Sequence, residues 1–77
     1  MDLGLAPLRA LAAVARHGSF SRAAAELRLT QPAVSMQVKQ LETRVGLPLL
    51  ERVGKRAMPT RAGELMLAHA ARAFLEL

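Results

Sequence analysis

The sequence lacks several residue types on which common kinds of protein depend. It contains no cysteine, which excludes a disulfide framework and a thiolate metal site. It has no tryptophan or tyrosine and only 2 phenylalanines, while hydrophobic residues, many of them alanine, make up 52% of its 77 residues. So short a chain with so few bulky side chains predicts one small domain with a thin core. We therefore expect a partner to cover part of its apolar surface.

The sequence also has no long apolar run and no secretory signal. No stretch approaches the ~18 consecutive apolar residues that a membrane-spanning helix requires. The N-terminus carries Asp2 and no basic segment ahead of an apolar core, which excludes a typical secretory signal. We therefore expect a cytoplasmic protein. Its 11 lysines and arginines against 6 acidic residues give a net charge of +5, which favours nucleic acid or an anionic membrane as partner.

The segment from Thr30 to Gly46 carries clear helix signals. Thr30 can cap a helix through its hydroxyl, Pro32 is tolerated in a first turn, and Gly46 suits the position after a helix end. The apolar residues form one stripe at a period of about 3.6 residues: Val34, Val38, Leu41 and Val45. The pattern predicts a helix over residues 31–45 with one buried face.

The opposite face of this helix lacks acidic residues. Residues 27–41 include Lys39 and one arginine but no carboxylate, whereas solvated helices usually mix both signs. Small, amide and hydroxyl side chains fill its first turns, which suits close approach to an anionic surface with hydrogen-bonding edges. If this surface is DNA, Gln31 is the best candidate for a direct contact with a base, because a carboxamide can pair with adenine through two hydrogen bonds. Ser35 and Met36 would make shorter-range contacts to bases or backbone.

A shorter helix is predicted before it, and the two form a helix-turn-helix. Ser21 is the predicted N-cap of this shorter helix, and its inward side consists of Ala23, Ala24 and Leu27. Residues 28–29 form the turn. A first helix over residues 5–16, ended by Gly18, supports the pair. An ordinary αα-hairpin would show the same periodicity, so the spacing alone leaves both interpretations open.

Residues 47–60 break the helical period and predict a short β-hairpin with its tip near residues 53–56. Attached to a helix-turn-helix, such a hairpin is a wing. The stretch 52–63 has no acidic residue and carries these cations: Arg52, Lys55, Arg56 and Arg61. Residues 52–56 therefore suit contact with phosphates or the minor groove. A solvated turn also commonly carries charge, but the place of this cluster directly after the predicted recognition helix favours the DNA interpretation.

Thr60 is predicted to cap a last helix over residues 61–77. One seam of heptad-like spacing consists of Leu67, Ala70, Phe74 and Leu77. Leu65 and Ala68 occupy another face, which we assign to packing on the wing and the first helix. Because a small domain cannot cover two apolar faces of one helix, the seam is predicted to pair with the same helix of a second copy. The pattern still runs at the last residue, which indicates a piece of a longer protein.

The predicted fold is therefore mainly α. A winged helix-turn-helix of three helices and a short β-hairpin occupies residues 1–60, and a long linker helix follows over residues 61–77. In a dimer, each copy would lay its recognition helix in a major groove. The free amides that begin the second and third helices favour phosphate oxygens, helped by the hydroxyls of Ser21 and Thr30. Lys39 and the wing cations would supply attraction that does not depend on base sequence.

Residues 8–63 resemble the N-terminal DNA-binding domain of LysR-type transcriptional regulators. The matching segments are GSFSRAA (18–24), QPAVS (31–35), QLE (40–42), GLPLLER (46–52) and TRAG (60–63). The run over residues 29–42 is similar to regulators of carbon-dioxide-fixation operons within that family. The resemblance implies a bacterial transcription factor that binds a double-stranded DNA operator and forms a homodimer through its last helix. It also implies a small-molecule effector on a C-terminal domain that is absent from this chain.

The resemblance implies specific major-groove residues as well. They are Gln31, Pro32, Ala33, Ser35 and the residue at position 36. The family often has arginine at that last position, where this chain has Met36. One guanine contact is thereby lost, and a contact with a thymine methyl group becomes conceivable. Leu50 stands where phenylalanine is frequent, which should affect packing only.

Other functional classes make different predictions. An enzyme is not expected, and neither is a cofactor or a metal, because His17 and His69 are far apart, the acids are scattered, and no phosphate loop is present. A membrane-surface peptide would not need the helix caps and turns seen here. The stronger alternative is a helical protein-docking or dimerisation module without sequence-specific DNA binding, since Leu67, Phe74 and Leu77 also suit a partner protein. This alternative predicts no salt-sensitive DNA binding.

Overall fold

The computed structural model describes the backbone of residues 4–75 and the side chains of residues 4–72. Within this part of the chain lie four α-helices and one antiparallel hairpin of two strands. In chain order they are α1 (Leu5–His17), α2 (Phe20–Leu27), α3 (Gln31–Val45), β1 (Leu50–Val53), β2 (Arg56–Pro59) and α4 (Arg61–Leu75). The predicted winged helix-turn-helix followed by a further helix is confirmed.

The ends of α1 and α3 follow the signals seen in the sequence. The hydroxyl of Thr30 accepts a hydrogen bond from the backbone N–H of Ala33 at 3.2 Å, which is the predicted cap. Gly18 and Gly46 end α1 and α3 in the left-handed conformation that glycine adopts without steric cost. Thr30 and Gly46 fix where α3 begins and ends, and so fix which side chains can face outward.

Helix α2 begins earlier than predicted. Its N-cap is Ser19, whose Oγ accepts a hydrogen bond from the N–H of Arg22 at 3.2 Å, so the prediction of Ser21 as the cap was wrong. The earlier start places Phe20 in the first turn, from where its half-buried side chain packs against the core. Two serines flank Phe20 and either could cap a helix, so the packing of the ring decides between them. Ser21 is left as an exposed residue inside the helix.

The core consists of two clusters of buried apolar side chains. The first holds α1, α2, α3 and β2 together and is built largely of small residues: Ala10, Ala13, Val14, Ala23, Ala24, Val34, Val38 and Ala57. The second contains Leu8, Leu11, Leu41, Leu49 and Ala70. The predicted buried stripe of α3 is confirmed for Val34, Val38 and Leu41. Alanines on both sides of an interface let two helices approach closely, so α3 is held with its other face directed outward.

The hairpin is attached to the helices through its backbone. Its strands pair as far as Val53, so Gly54 and Lys55 form the turn, within the predicted tip. The N–H of Ala57 donates to the carbonyl oxygen of Gly18 at 2.9 Å and thereby connects β2 to the end of α1. An isolated hairpin of this length is marginally stable, so this attachment and the burial of Ala57 stabilise the wing.

The backbone of Leu49 joins three elements at the base of the wing. Its N–H donates to Oε2 of Glu42 at 2.8 Å, and its carbonyl oxygen accepts from the N–H of Thr60 at 3.1 Å. Thr60 is the cap of α4, as predicted, and its Oγ1 accepts from the N–H of Gly63 at 3.0 Å. Helix α4 passes so close to this point that a Cβ at Gly63 would lie 2.1 Å from the carbonyl oxygen of Leu49. Only glycine fits there without movement of the backbone.

Helix α4 turns a different face inward than the sequence predicted. Ala70, assigned to the dimer seam, is buried in the second core cluster, and the half-buried Leu67 packs against that cluster. Leu65, assigned to packing on the wing and α1, is 58% exposed, and Ala68 is exposed as well. The reason is that Leu8 and Leu11 of α1 need a cover that the alanine-rich helices do not supply. The side chain of Phe74 and all of Leu77 lie outside the described residues.

Candidate nucleic-acid interface

The first turns of α3 present their predicted base-contacting side chains to the surface. Gln31, Pro32, Ser35 and Met36 are exposed, and Ala33 is half-buried. Met36 is 53% exposed, so its side chain is accessible to a molecule that approaches this face of α3. Five positions chosen from the sequence therefore lie together at one end of one helix. Their contacts with bases remain predictions.

A shallow groove extends this surface along α3. The residues that line it are Pro32, Ser35, Met36, Lys39, Gln40, Thr43 and Arg44. None of these is acidic, and Lys39 is exposed among them. Gln40 and Thr43 add two hydrogen-bonding side chains beyond the predicted set. Each lies four residues after a predicted position, Gln40 after Met36 and Thr43 after Lys39, and this spacing places them on the same face.

A second cleft joins the start of α2, the first residue of α3 and the wing. The residues that line it are Gly18, Ser19, Phe20, Ser21, Gln31, Arg52, Lys55 and Ala57. The fold thus brings two wing cations, Arg52 and Lys55, to the same cleft as Gln31, and none of the lining side chains is acidic. By contrast, the groove between α3 and β1 contains the carboxylates of Glu42 and Glu51. The surface suited to a polyanion is therefore the one that holds Gln31.

Arg56 is exposed but is placed differently from the other wing cations. Its guanidinium lies against Gly18, where an added Cβ would be 2.6 Å from one of the terminal nitrogens of Arg56. That position is beside the last carbonyl groups of α1, which carry partial negative charge and attract a cation. Contact of Arg56 with phosphate, expected from the sequence, would therefore compete with this position at the end of α1.

The two hydroxyls that the sequence assigned to phosphate both have partners inside the domain. Thr30 accepts from the N–H of Ala33 and keeps its own proton available for an outside acceptor. Ser21 donates to Oε1 of Gln31 at 3.4 Å, so its proton is directed to a side chain rather than outward. No sequence signal predicts this second contact, because it joins residues on different helices.

An ion-pair cluster connects α1 to α2 away from this surface. Glu26 accepts a hydrogen bond from Nε2 of His17 at 2.9 Å and also pairs with Arg16. The hydrogen bond from His17, aided by Arg16, holds the pKa of the Glu26 carboxyl below its ordinary value. Arg16 is therefore engaged within the domain. No sequence motif links Arg16 to Glu26, because the packing of α2 on α1 is what brings the two side chains together.

Most of the chain matches a known protein family. Residues 5–64 match the family described as bacterial regulatory helix-turn-helix proteins, lysR family. The chain belongs to the LysR family. The match spans α1, the helix-turn-helix, the wing and the start of α4, and it confirms the LysR-type DNA-binding domain expected from the sequence motifs. The elements that form the two clefts are therefore those that define the family.

Curated relatives of this LysR-family domain are named as transcriptional regulators, one of them for the RuBisCO operon. It is 59% identical over 63 residues to the "RuBisCO operon transcriptional regulator" of Allochromatium vinosum, a match that covers 82% of this chain and 21% of the relative. It is 57% identical over 70 residues to the "HTH-type transcriptional regulator CfxR" of Cupriavidus necator, covering 91% of this chain and 22% of the relative. The chain thus spans about a fifth of the length of these relatives. Both are transcriptional regulators, not enzymes.

A solved DNA complex has the same fold as this LysR-family domain. The structure titled "Crystal Structure of BenM_DBD/benA site 1 DNA Complex" matches with a TM-score of 0.87 and 33% sequence identity, covering 99% of this chain and 83% of that one.

In the part of this chain that the structure describes, no helix is both long and apolar enough to cross a bilayer. Nor do residues 4–75 bring together three or more histidine or acidic side chains as a metal site would need.

Proposed function

We propose that this domain binds a double-stranded operator selectively, with the start of α3 in the major groove. Gln31, Pro32, Ala33, Ser35 and Met36 would face the base edges. The observation that carries this proposal is the exposed, acid-free end of α3 beside a cleft that also holds two wing cations. Such a surface combines attraction to phosphate with side chains able to distinguish base edges, and sequence-selective binding requires both.

The same proposal assigns a second group of residues to the DNA backbone. It consists of Thr30, Lys39, Arg52, Lys55 and Arg56. Ser21, which the sequence also assigned to phosphate, directs its proton to Gln31 instead. The backbone amides that begin α2 and α3 would point at phosphate oxygens, as helix N-termini commonly do in DNA complexes. The wing, residues 52–56, would lie against phosphates or in the minor groove. These contacts position the domain on the duplex, whereas the choice of site depends on the start of α3.

We place the homodimer contact on α4, with a changed face. Ala70 is buried within its own domain, so the exposed surface that a second copy could cover runs through Leu65 and Ala68. Phe74 and Leu77 remain candidates on the sequence pattern alone. A helix with one face in its own core and an exposed leucine on another suits pairing with an identical helix.

The target and setting follow from the relatives. Because the relative from Allochromatium vinosum is named as a RuBisCO operon transcriptional regulator, we propose that the operator of this protein controls carbon-dioxide-fixation genes in a bacterial cytoplasm. A small-molecule effector would bind a part of the protein that this chain does not include.

The base contacts can be tested by comparing Gln31→Ala with Gln37→Ala, a glutamine of the same helix outside both clefts. Gln31→Ala should weaken binding to the operator by about 1–3 kcal/mol and binding to random duplex much less. Gln37→Ala should leave both affinities close to wild type. Equal loss on operator and random DNA for Gln31→Ala would show that Gln31 does not distinguish bases.

The wing contacts can be tested through the salt dependence of binding. Lys55→Ala should lower the slope of log affinity against log salt by about one unit, because one phosphate contact is lost. Arg9→Ala removes the same charge from the exposed outer side of α1 and is the matched control. If the two variants changed the slope equally, net charge rather than a wing contact would account for the effect.

A further inference from the structure

The contact between Ser21 and Gln31 connects the two helices of the helix-turn-helix through their polar side chains. The hydroxyl of Ser21 donates to Oε1 of Gln31 at 3.4 Å, and both side chains are exposed on the cleft shared with the wing. Ser19 supplies the cap of α2, so this hydroxyl is not needed at the helix start. The distance is long for a hydrogen bond between oxygens, which indicates an orienting contact rather than a tight one.

The orientation of the Gln31 carboxamide decides which bases it can contact. A glutamine side chain carries an oxygen that accepts and a nitrogen that donates two hydrogens, and the two atoms point in different directions. With Oε1 turned to Ser21, Nε2 is the atom left to face the DNA. In the major groove, guanine offers two acceptors, N7 and O6, whereas adenine offers one acceptor and one donor. A carboxamide held in this way is matched to acceptors.

We propose that Ser21 is a specificity-determining positioning residue that holds the Gln31 carboxamide with its amide nitrogen toward the groove, so that Gln31 selects base edges rich in acceptors. This inference rests on the proposed major-groove role of α3. It makes guanine the preferred base of Gln31, whereas adenine is expected for a glutamine whose carboxamide is free to rotate. Arg52 and Lys55 line the same cleft and carry only donors, which strengthens the preference for acceptors. Ser21 itself touches no base.

The DNA test uses the 77-residue chain and four duplexes that differ only at the base pair where Gln31→Ala loses discrimination. Wild type should prefer guanine there. Ser21→Ala should reduce its discrimination among the four by about threefold to tenfold, the range of one neutral hydrogen bond. Ser21→Thr keeps the hydroxyl and should discriminate as wild type does. In a Gln31→Ala background, Ser21→Ala should change nothing further.

Two results of this test would overturn the proposal. If Ser21→Ala weakened binding to all four duplexes and to unrelated DNA equally, the hydroxyl would be a phosphate contact. If Ser21→Ala discriminated as wild type does, or if wild type preferred adenine, the hydroxyl would not set the orientation of Gln31.

A measurement without DNA separates this inference from the proposed function. In nuclear magnetic resonance spectra of the free protein, Ser21→Ala should shift the side-chain amide signals of Gln31 and leave those of Gln37 and Gln40 in place. Unshifted Gln31 signals would refute the orienting contact whatever the DNA results. Shifted signals together with a Gln31→Ala variant that loses no base discrimination would instead refute the major-groove role of Gln31, and the inference that rests on it.

Discussion

Gly63→Ala tests how closely α4 packs at the base of the wing. The nearest neighbour of Gly63 is the backbone of Leu49, which cannot rotate away as a side chain can. Alanine at this position would place Cβ 2.1 Å from the carbonyl oxygen of Leu49, 3.0 Å from the carbonyl carbon of Leu49 and 3.2 Å from Cβ of Pro59. The first distance must grow to at least 3.0 Å, the shortest that real Cβ atoms show, so α4 has to move away from the backbone of Leu49. That movement also stretches the hydrogen bond from the Thr60 N–H to the same oxygen.

The size of the effect follows from opposing contributions. Alanine in a helix is favoured over glycine by about 1 kcal/mol, and overpacking against a fixed group costs about 1–3 kcal/mol or more. The weakened hydrogen bond at Leu49 adds about 1 kcal/mol to the cost. We therefore expect Gly63→Ala to lower the free energy of unfolding by about 2 kcal/mol. In a domain of this size, such a loss lowers Tm by roughly 8–16 °C.

Urea and thermal unfolding, followed by far-ultraviolet circular dichroism, measure this change. Ala68→Gly is the matched control, because it reverses the substitution at an exposed position of the same helix and should lower stability by about 1 kcal/mol through helix propensity alone. If Gly63→Ala proved more stable than wild type by the amount that Ala68→Gly is less stable, propensity would be the whole effect. The close contact between α4 and Leu49 would then be refuted.

Three further substitutions test local contacts by the same unfolding methods. Glu26→Gln should reduce the amount of stability that the domain loses in acid. The hydrogen bond from His17 lowers the pKa of Glu26, so the stabilisation from this contact is present above the ordinary pKa of 4.5 and is lost as the pH falls through the lowered pKa. An unchanged pH profile would contradict this. Glu42→Ala should lower the free energy of unfolding by about 1–3 kcal/mol, because the half-buried N–H of Leu49 loses its acceptor. Glu42→Gln keeps an acceptor and should recover most of that free energy. Equal losses for the two variants would argue against the hydrogen bond. Arg28→Gly should stabilise the domain by about 0.5–1 kcal/mol, since Arg28 has φ 58° at the end of α2, and a loss of stability would indicate a side-chain contact that outweighs the strain.

The limits of the recognition helix could be predicted because their causes are local. Thr30 and Gly46 act through the backbone beside them, and the period of the apolar stripe decides which side of α3 is buried. The wing could be predicted for a similar reason, since Gly54 and Lys55 form a turn whose signal lies in the turn itself. Each of these signals needs only neighbouring residues, so no knowledge of the tertiary structure was required.

The sequence-based predictions were wrong where two local arrangements fitted the sequence equally well. Ser19 and Ser21 could each cap α2, and the packing of Phe20 selected Ser19. Helix α4 carries two apolar faces of the same period, and the need to cover α1 selected the face of Ala70 rather than that of Leu65. In both cases the deciding contact comes from a different part of the chain. The positions of the candidate base-contacting side chains were foreseen, but the link from Ser21 to Gln31 was not.

The alanines between α1, α2 and α3 have a consequence for altering DNA specificity. Ala10, Ala13, Ala23 and Ala24 have no side-chain rotamers to rearrange, so the surface on which the valines of α3 pack has few alternative arrangements. Exchanging an exposed residue on the far side of α3 therefore changes the chemistry offered to the groove while the helix keeps its direction. In the proposed complex, the target sequence would therefore change one side chain at a time, without any change to the core.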